Sequence, residues 1–148
     1  MIRGIHADFY NGDNCRGFIA ALINSFESGD RLYVSFIDTL SDSEEPPRLW
    51  QRSELAQTIN TCRQPLFMEL FVYPSGDGVP YDIPVDYGTF QASSCKTAVL
   101  FWDGGYFDIY VKAGDRAAVL YDLCKSHEPE ALEYITEETD GRTVFRVL

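Results

Sequence analysis

Long apolar runs are missing from this 148-residue sequence. One of its most apolar stretches, Ala98 to Trp102, has five residues, whereas a bilayer-spanning helix needs roughly 20. The opening Met1-Ile2-Arg3-Gly4-Ile5-His6-Ala7-Asp8 has no apolar stretch behind its Arg, so no secretory signal is read there and a cytoplasmic location is expected. Basic residues are scarce: 12 Lys and Arg face 23 Asp and Glu, for a formal charge of −11. Nucleic-acid binding and attachment to anionic membranes both draw on basic patches that neutralise phosphate, so neither is expected.

Chemistry-bearing motifs are also lacking. The sequence contains no G-x-x-x-x-G-K phosphate loop, no dinucleotide glycine motif, no G-x-S-x-G and no H-E-x-x-H. Cys15, Cys62, Cys95 and Cys124 are widely spaced, without a C-x-x-C or a nearby His pair, so they read as four buried thiols rather than a zinc site or redox pair. Only His6 and His127 are available for histidine-dependent mechanisms. No catalytic residue, metal or cofactor is assigned on this basis, and the balance is against an enzyme.

What is present is material for a core. The chain is 45% hydrophobic, with 10 Phe, 9 Tyr and 2 Trp, too many large apolar groups for a disordered acidic chain. A chain of this length buries roughly 68 to 70% of its unfolded surface without disulfides or metals. One domain over residues 1–148 is the economical reading.

Ile2 to Tyr10 reads as a strand and Asn11-Gly12-Asp13-Asn14 as a turn, from which Asp13 or Asn14 caps a helix over Cys15 to Phe26. Phe18, Ile19, Leu22, Ile23 and Phe26 form its apolar face. Arg31 to Ile37 alternates as a second strand, and Asp38 to Arg48 is a loop around Pro46-Pro47. Ser53 caps a short helix carrying Leu55 and Ile59, and Pro65 to Tyr73 is a third strand broken only by Glu69. Pro74 to Tyr87 has no periodicity. Thr89 caps a helical turn over Phe90 to Ser94, and Lys96 to Trp102 and Tyr106 to Lys112 form a hairpin through Asp103-Gly104-Gly105. A helix over Asp115 to Ser126 presents Val119, Leu120, Leu123 and Cys124, with Asp115 as its cap. Pro129 to Thr136 is a further helical turn or an irregular acidic connection, and Arg142 to Val147 alternates as a sixth strand. The order implies an α+β fold with a mainly antiparallel, or mixed, sheet of about six strands and two to four helices.

Ser94-Cys95-Lys96 with the following VLFWDGGYFDIYVK, the terminal Asp140-Gly141-Arg142-Thr143-Val144-Phe145-Arg146-Val147 and the opening Arg3-Gly4-Ile5 resemble a family of small uncharacterised bacterial proteins. The resemblance implies a small bacterial cytoplasmic protein and carries over no catalytic residue.

His6 and Asp8 share a strand face at i,i+2, as an acid-base pair, a metal-ligand pair or an ordinary solvent-facing polar pair. His127, at a helix end, suits a capping role. Asp103 and Asp108 flank the hairpin, but the turn itself calls for Asp103. Tyr106, Asp108 and Tyr110 share the face opposite Phe107, Ile109 and Val111, which makes an aromatic binding platform or a surface under a helix. Two segments account for nearly the whole charge imbalance: Asp38, Asp42, Glu44 and Glu45, and then Glu128, Glu130, Glu133, Glu137, Glu138 and Asp140, neither containing Lys or Arg. Concentrated charge steers a complementary partner. The leading expectation is a non-enzymatic module that binds a basic protein through these acids with Tyr106 and Tyr110. The competing expectation is a small ligand-binding domain or carboxylate-dependent enzyme with a cleft near residues 74–87. The oligomeric state is left open.

Overall fold

The computed structural model describes residues 1–41, 43–112 and 114–148. Strand β1 (Ile2–Asp8) is followed by α1 (Gly12–Ser25), β2 (Arg31–Asp38), the short β3 (Arg48–Trp50) and α2 (Arg52–Thr61). Then come β4 (Phe67–Tyr73), α3 (Tyr87–Ala92), the hairpin β5 (Thr97–Trp102) and β6 (Tyr106–Val111), α4 (Gly114–Lys125) and β7 (Ala131–Thr136). The strands form one sheet in the order β3-β2-β4-β5-β6-β1-β7, and every described pairing is antiparallel. Among the described residues this is an α+β fold with seven strands and four helices, one strand more than the sequence pattern showed.

Alternation along the strands creates two buried faces. Ile5, Ala7, Leu32, Val34, Leu70, Val99, Phe107 and Ile109 face α1, α2 and α4, whose Phe18, Leu22, Leu55 and Leu120 complete the larger core. On the other face Phe71, Tyr73, Ala98, Leu100 and Tyr110 pack with Phe90 of α3 and with Phe145. Burial on both sides explains why β4 and β5 read as nearly continuous apolar runs. The β5–β6 turn has Asp103 at φ 52° and Gly104 at φ 72°, the left-handed pair that a primed hairpin demands.

Several local expectations are corrected. Asn11, not Asp13 or Asn14, caps α1, its side chain accepting from both of their backbone N–H groups. The preceding cap of α2 is Gln51 without a side-chain bond, so Ser53 lies inside the helix. Asp86 caps α3 and Thr89 is the reciprocal partner of a capping box. On α4 the buried residues are Ala117, Leu120 and Cys124, whereas Val119 is 62% exposed. Pro129 to Thr136 is neither helical nor irregular, because its Ala131–Thr136 portion pairs with β1. Residues 142–147 form no strand: Phe145 donates its N–H to Val85 and Val147 donates to Glu69 Oε2 at 2.9 Å, so the C-terminal segment is a strap across the second face. Glu69, the one charge in β4, anchors that strap.

Cys15, Cys95 and Cys124 are buried, and burial pushes each thiol up to about 12, while Cys62 is only half-buried. Thiol reagents attack thiolates. Native protein treated with a disulfide reagent at about pH 8 should be labelled quickly at Cys62 alone, with the others reacting after denaturation. Rapid labelling of Cys15, Cys95 or Cys124, read by peptide mass spectrometry, would contradict this packing.

Candidate binding site

The second face is polar at the β5-β6-β1-β7 end. Trp102 lies opposite Tyr106 across the hairpin, Asp108 opposite His6 across β6 and β1, and His6 opposite Glu133 across β1 and β7. Directly opposed residues point to the same side of a sheet, so the register gathers these side chains from separate parts of the chain. The C-terminal strap then passes over them.

Asp108 is the hub. Its Oδ1 is 2.7 Å from His6 Nδ1, and its Oδ2 accepts from Arg142 Nε at 2.8 Å. The Arg142 guanidinium lies over the Trp102 ring, 4.8 Å from its centroid, and Nη1 donates to the Arg146 carbonyl at 2.8 Å. These charge-assisted contacts hold the strap to the sheet. His6 Nε2 is also 2.7 Å from Asp8 Oδ1, but that buried oxygen has no aligned hydrogen-bond donor, so the contact is electrostatic in character. The hydrogen bond to Asp108 and the charges of Asp108 and Asp8 hold the His6 pKa above its ordinary value, against the opposing effect of burial. A second junction ties β1 to the strap: Asp140 accepts from Arg3 at 3.0 Å and from the Tyr110 hydroxyl at 2.9 Å, and Arg3 stacks 4.1 Å from the Tyr87 centroid.

Between β7, the hairpin and the strap opens a cleft of about 480 Å³, bordered by His6, Trp102, Asp108, Glu133, Asp140 and Arg142. Glu133 is exposed and, among the described residues, makes no ion pair. Both nitrogens of His6 face carboxylates, Nδ1 in a hydrogen bond with Asp108 and Nε2 close to Asp8. Among the described residues no group of three or more His, Cys, Asp and Glu side chains is placed to hold a metal ion. The loop 74–87 does not border this cleft; its Pro80 and Pro84 are buried, and Ile83 and Tyr87 pack against the second core.

The structure divides the residues that the sequence marked for partner binding. Tyr106 is half-buried beside Trp102, with ring centroids 5.7 Å apart. Tyr110 is corrected: it is 0% exposed, because α3 and Phe145 cover it, and burial raises its pKa. Asp140 is also corrected, its side chain being 3% exposed and already paired with Arg3. Glu128, Glu130, Glu133, Glu137 and Glu138 are exposed along or beside β7. Asp38 ends β2, and Glu44 and Glu45 lie in the connection from β2 to the edge strand β3, where Glu45 is paired with Arg48. Asp42 lies outside the described residues. Five strand spacings separate β2 from β7 and six separate β3 from β7, on the order of 24 and 29 Å across the sheet, so the two acidic segments belong to opposite sides of it. Arg3, Trp102 and Arg142 fall within the stretches that carry the family resemblance, but the sequence did not mark them as site residues.

These features define an α+β protein with a polar cleft under a C-terminal strap. The chain belongs to a family of proteins of unknown function, DUF2691, whose model matches residues 32–146. The opening Arg3-Gly4-Ile5 lies outside the matched stretch. It is also 33% identical over 82 residues to the uncharacterized protein YncE of Bacillus subtilis (strain 168), covering 55% of this chain and 52% of that protein. The chain thus spans about half the length of that curated relative. No solved structure matches it significantly. Among the described residues, no helix is long and apolar enough to cross a membrane.

Proposed function

We propose that this protein is a non-enzymatic binding module that engages a basic protein partner at the β7 side of its sheet. The observation that carries this reading is the cleft beside β7, bordered by Glu133, Asp108, Asp140, Arg142 and the Trp102 ring, next to a stretch from Ser126 to Gly141 that has no Lys or Arg. Asp108 and Asp140 are balanced by Arg142 and Arg3, but Glu133 at the cleft, with exposed Glu128, Glu130, Glu137 and Glu138 along or beside β7, leaves a net negative charge at this side of the sheet. Such a charge attracts a cationic surface and raises its association rate.

The two acidic segments can now be told apart by experiment. Binding of a lysine-rich peptide, followed by calorimetry, should weaken with salt and fall severalfold in Glu130→Gln/Glu133→Gln, while Glu44→Gln/Glu45→Gln leaves it nearly unchanged. Equal affinity in all three proteins, or affinity insensitive to salt, would refute the β7 reading.

A further inference from the structure

The two edges of the sheet are built differently. At one edge β3 has only three residues, follows Pro46-Pro47, and carries Arg48 in ion pairs with Glu45 and Glu54. Short length, proline and charge are the devices that keep an edge from recruiting another strand. At the other edge β7 runs for six residues without Pro or Gly. Its inner side pairs with β1 from Asp8 to Ile2, and no described strand lies on its outer side. Alternate backbone N–H and C=O groups along that outer side therefore lack strand partners.

Resting on the reading of a basic partner, we propose that the partner binds as an extended segment added to the outer edge of β7, with a Lys or Arg beside Glu133. Register selects the side chains. Leu132 and Tyr134 point to the helix layer, where Tyr134 stacks on Tyr121 of α4 with centroids 4.6 Å apart. Glu133 points to the other face and borders the cleft. An added strand places every second side chain on the cleft face, so its residue opposite Glu133 meets a carboxylate while its neighbours meet the Leu132 and Tyr134 side. The pattern recognised is a basic residue opposite Glu133, with apolar or β-branched residues on either side of it. The same charge disfavours self-pairing: a second copy brings its own Glu133 to this edge, with Glu130 and Glu137 just beyond the strand ends, and like charges across strands repel. Backbone pairing supplies affinity here and Glu133 supplies sign selectivity, the division of labour expected of strand addition.

The test uses the full chain and a synthetic eight-residue peptide alternating Lys and Val, alongside the same peptide N-methylated at alternate amides. N-methylation on the edge facing β7 removes backbone donors and keeps every charge. The unmodified peptide should bind, and methylation in that register should weaken it by about tenfold. Amide exchange across Ala131–Thr136 should slow in the complex. Equal binding of both peptides, with no change in exchange at β7, would overturn strand addition and leave the basic-partner reading intact. Binding of neither would overturn both. A stable dimer whose protection falls on β7 would assign the edge to a second copy and overturn the proposal.

Discussion

Replacing Gly4 with alanine is expected to abolish the folded state or to destabilise it by more than about 4 kcal/mol, the largest effect of any single methyl group in this protein. A Cβ at this position would lie 1.8 Å from the Ile109 carbonyl oxygen, 2.8 Å from its carbon and 2.9 Å from the Tyr110 Cα. All three atoms belong to the backbone of β6, so no rotamer change relieves the overlap. Relief requires β1 to move away from β6, which breaks the ladder from Gly4–Tyr110 to Asp8–Tyr106 and opens both cores. Gly4 also adjoins the irregularity between Ile2 and Gly4 in the β1–β7 pairing, where the strand bends and Arg3 turns to Asp140 and Tyr87. Circular dichroism and urea titration of Gly4→Ala, with exposed Gly141→Ala as the control, would measure this. A variant within about 1 kcal/mol of wild type would show that the close approach of β1 to β6 is wrong.

Asp108→Asn is expected to cost about 2 to 3 kcal/mol and to change how stability depends on pH. The substitution keeps the shape and removes the charge between His6 and Arg142, whose side chains are largely buried at that junction. Arg142 of the strap is then left without its carboxylate, and an uncompensated charge in partly buried surroundings is the main source of the loss. His6 adds the pH term. Its folded pKa is raised, so the folded state keeps the proton at pH values where the unfolded chain releases it. That stabilisation is fully present below about pH 6.5 and disappears as pH rises through the raised folded value. The deficit of Asp108→Asn should therefore be larger at about pH 5.5 than at about pH 8.5, and the His6 titration followed by NMR should move down toward its ordinary value. A deficit independent of pH, with an unmoved His6 titration, would show that Asp108 does not set the state of His6.

The elements were readable from the sequence wherever local rules govern them. The spacing of Phe18, Leu22 and Ile23 marks α1, and Asp103-Gly104 marks the hairpin, because the helical period and the left-handed turn are properties of neighbouring residues. Expectations failed where a partner far along the chain decides. Ala131–Thr136 is short and lies in an acidic stretch, and it becomes a strand because β1 has a free side to offer. Residues 142–147 alternate like a strand, yet with both sides of β1 occupied they instead cross the face as a strap. Tyr110 alternates correctly to the face opposite Ile109, but nothing local reveals that Phe145 will cover it.

The candidate site shows the same division. His6, Asp8, Asp108 and Tyr106 were each recognisable as polar residues on strand faces, yet His6 and Asp108 lie 102 positions apart and meet only through the β1–β6 register. By itself the sequence determined the α+β class, the poverty in basic residues, the two acidic segments and the lack of familiar catalytic motifs. Tertiary structure alone decided that those segments lie on opposite edges, that Asp140 and Tyr110 are consumed in packing, and that Glu133 is left facing an open cleft. The physical reason is that composition and periodicity act over a few residues, whereas strand order determines which charges share a surface and which are neutralised.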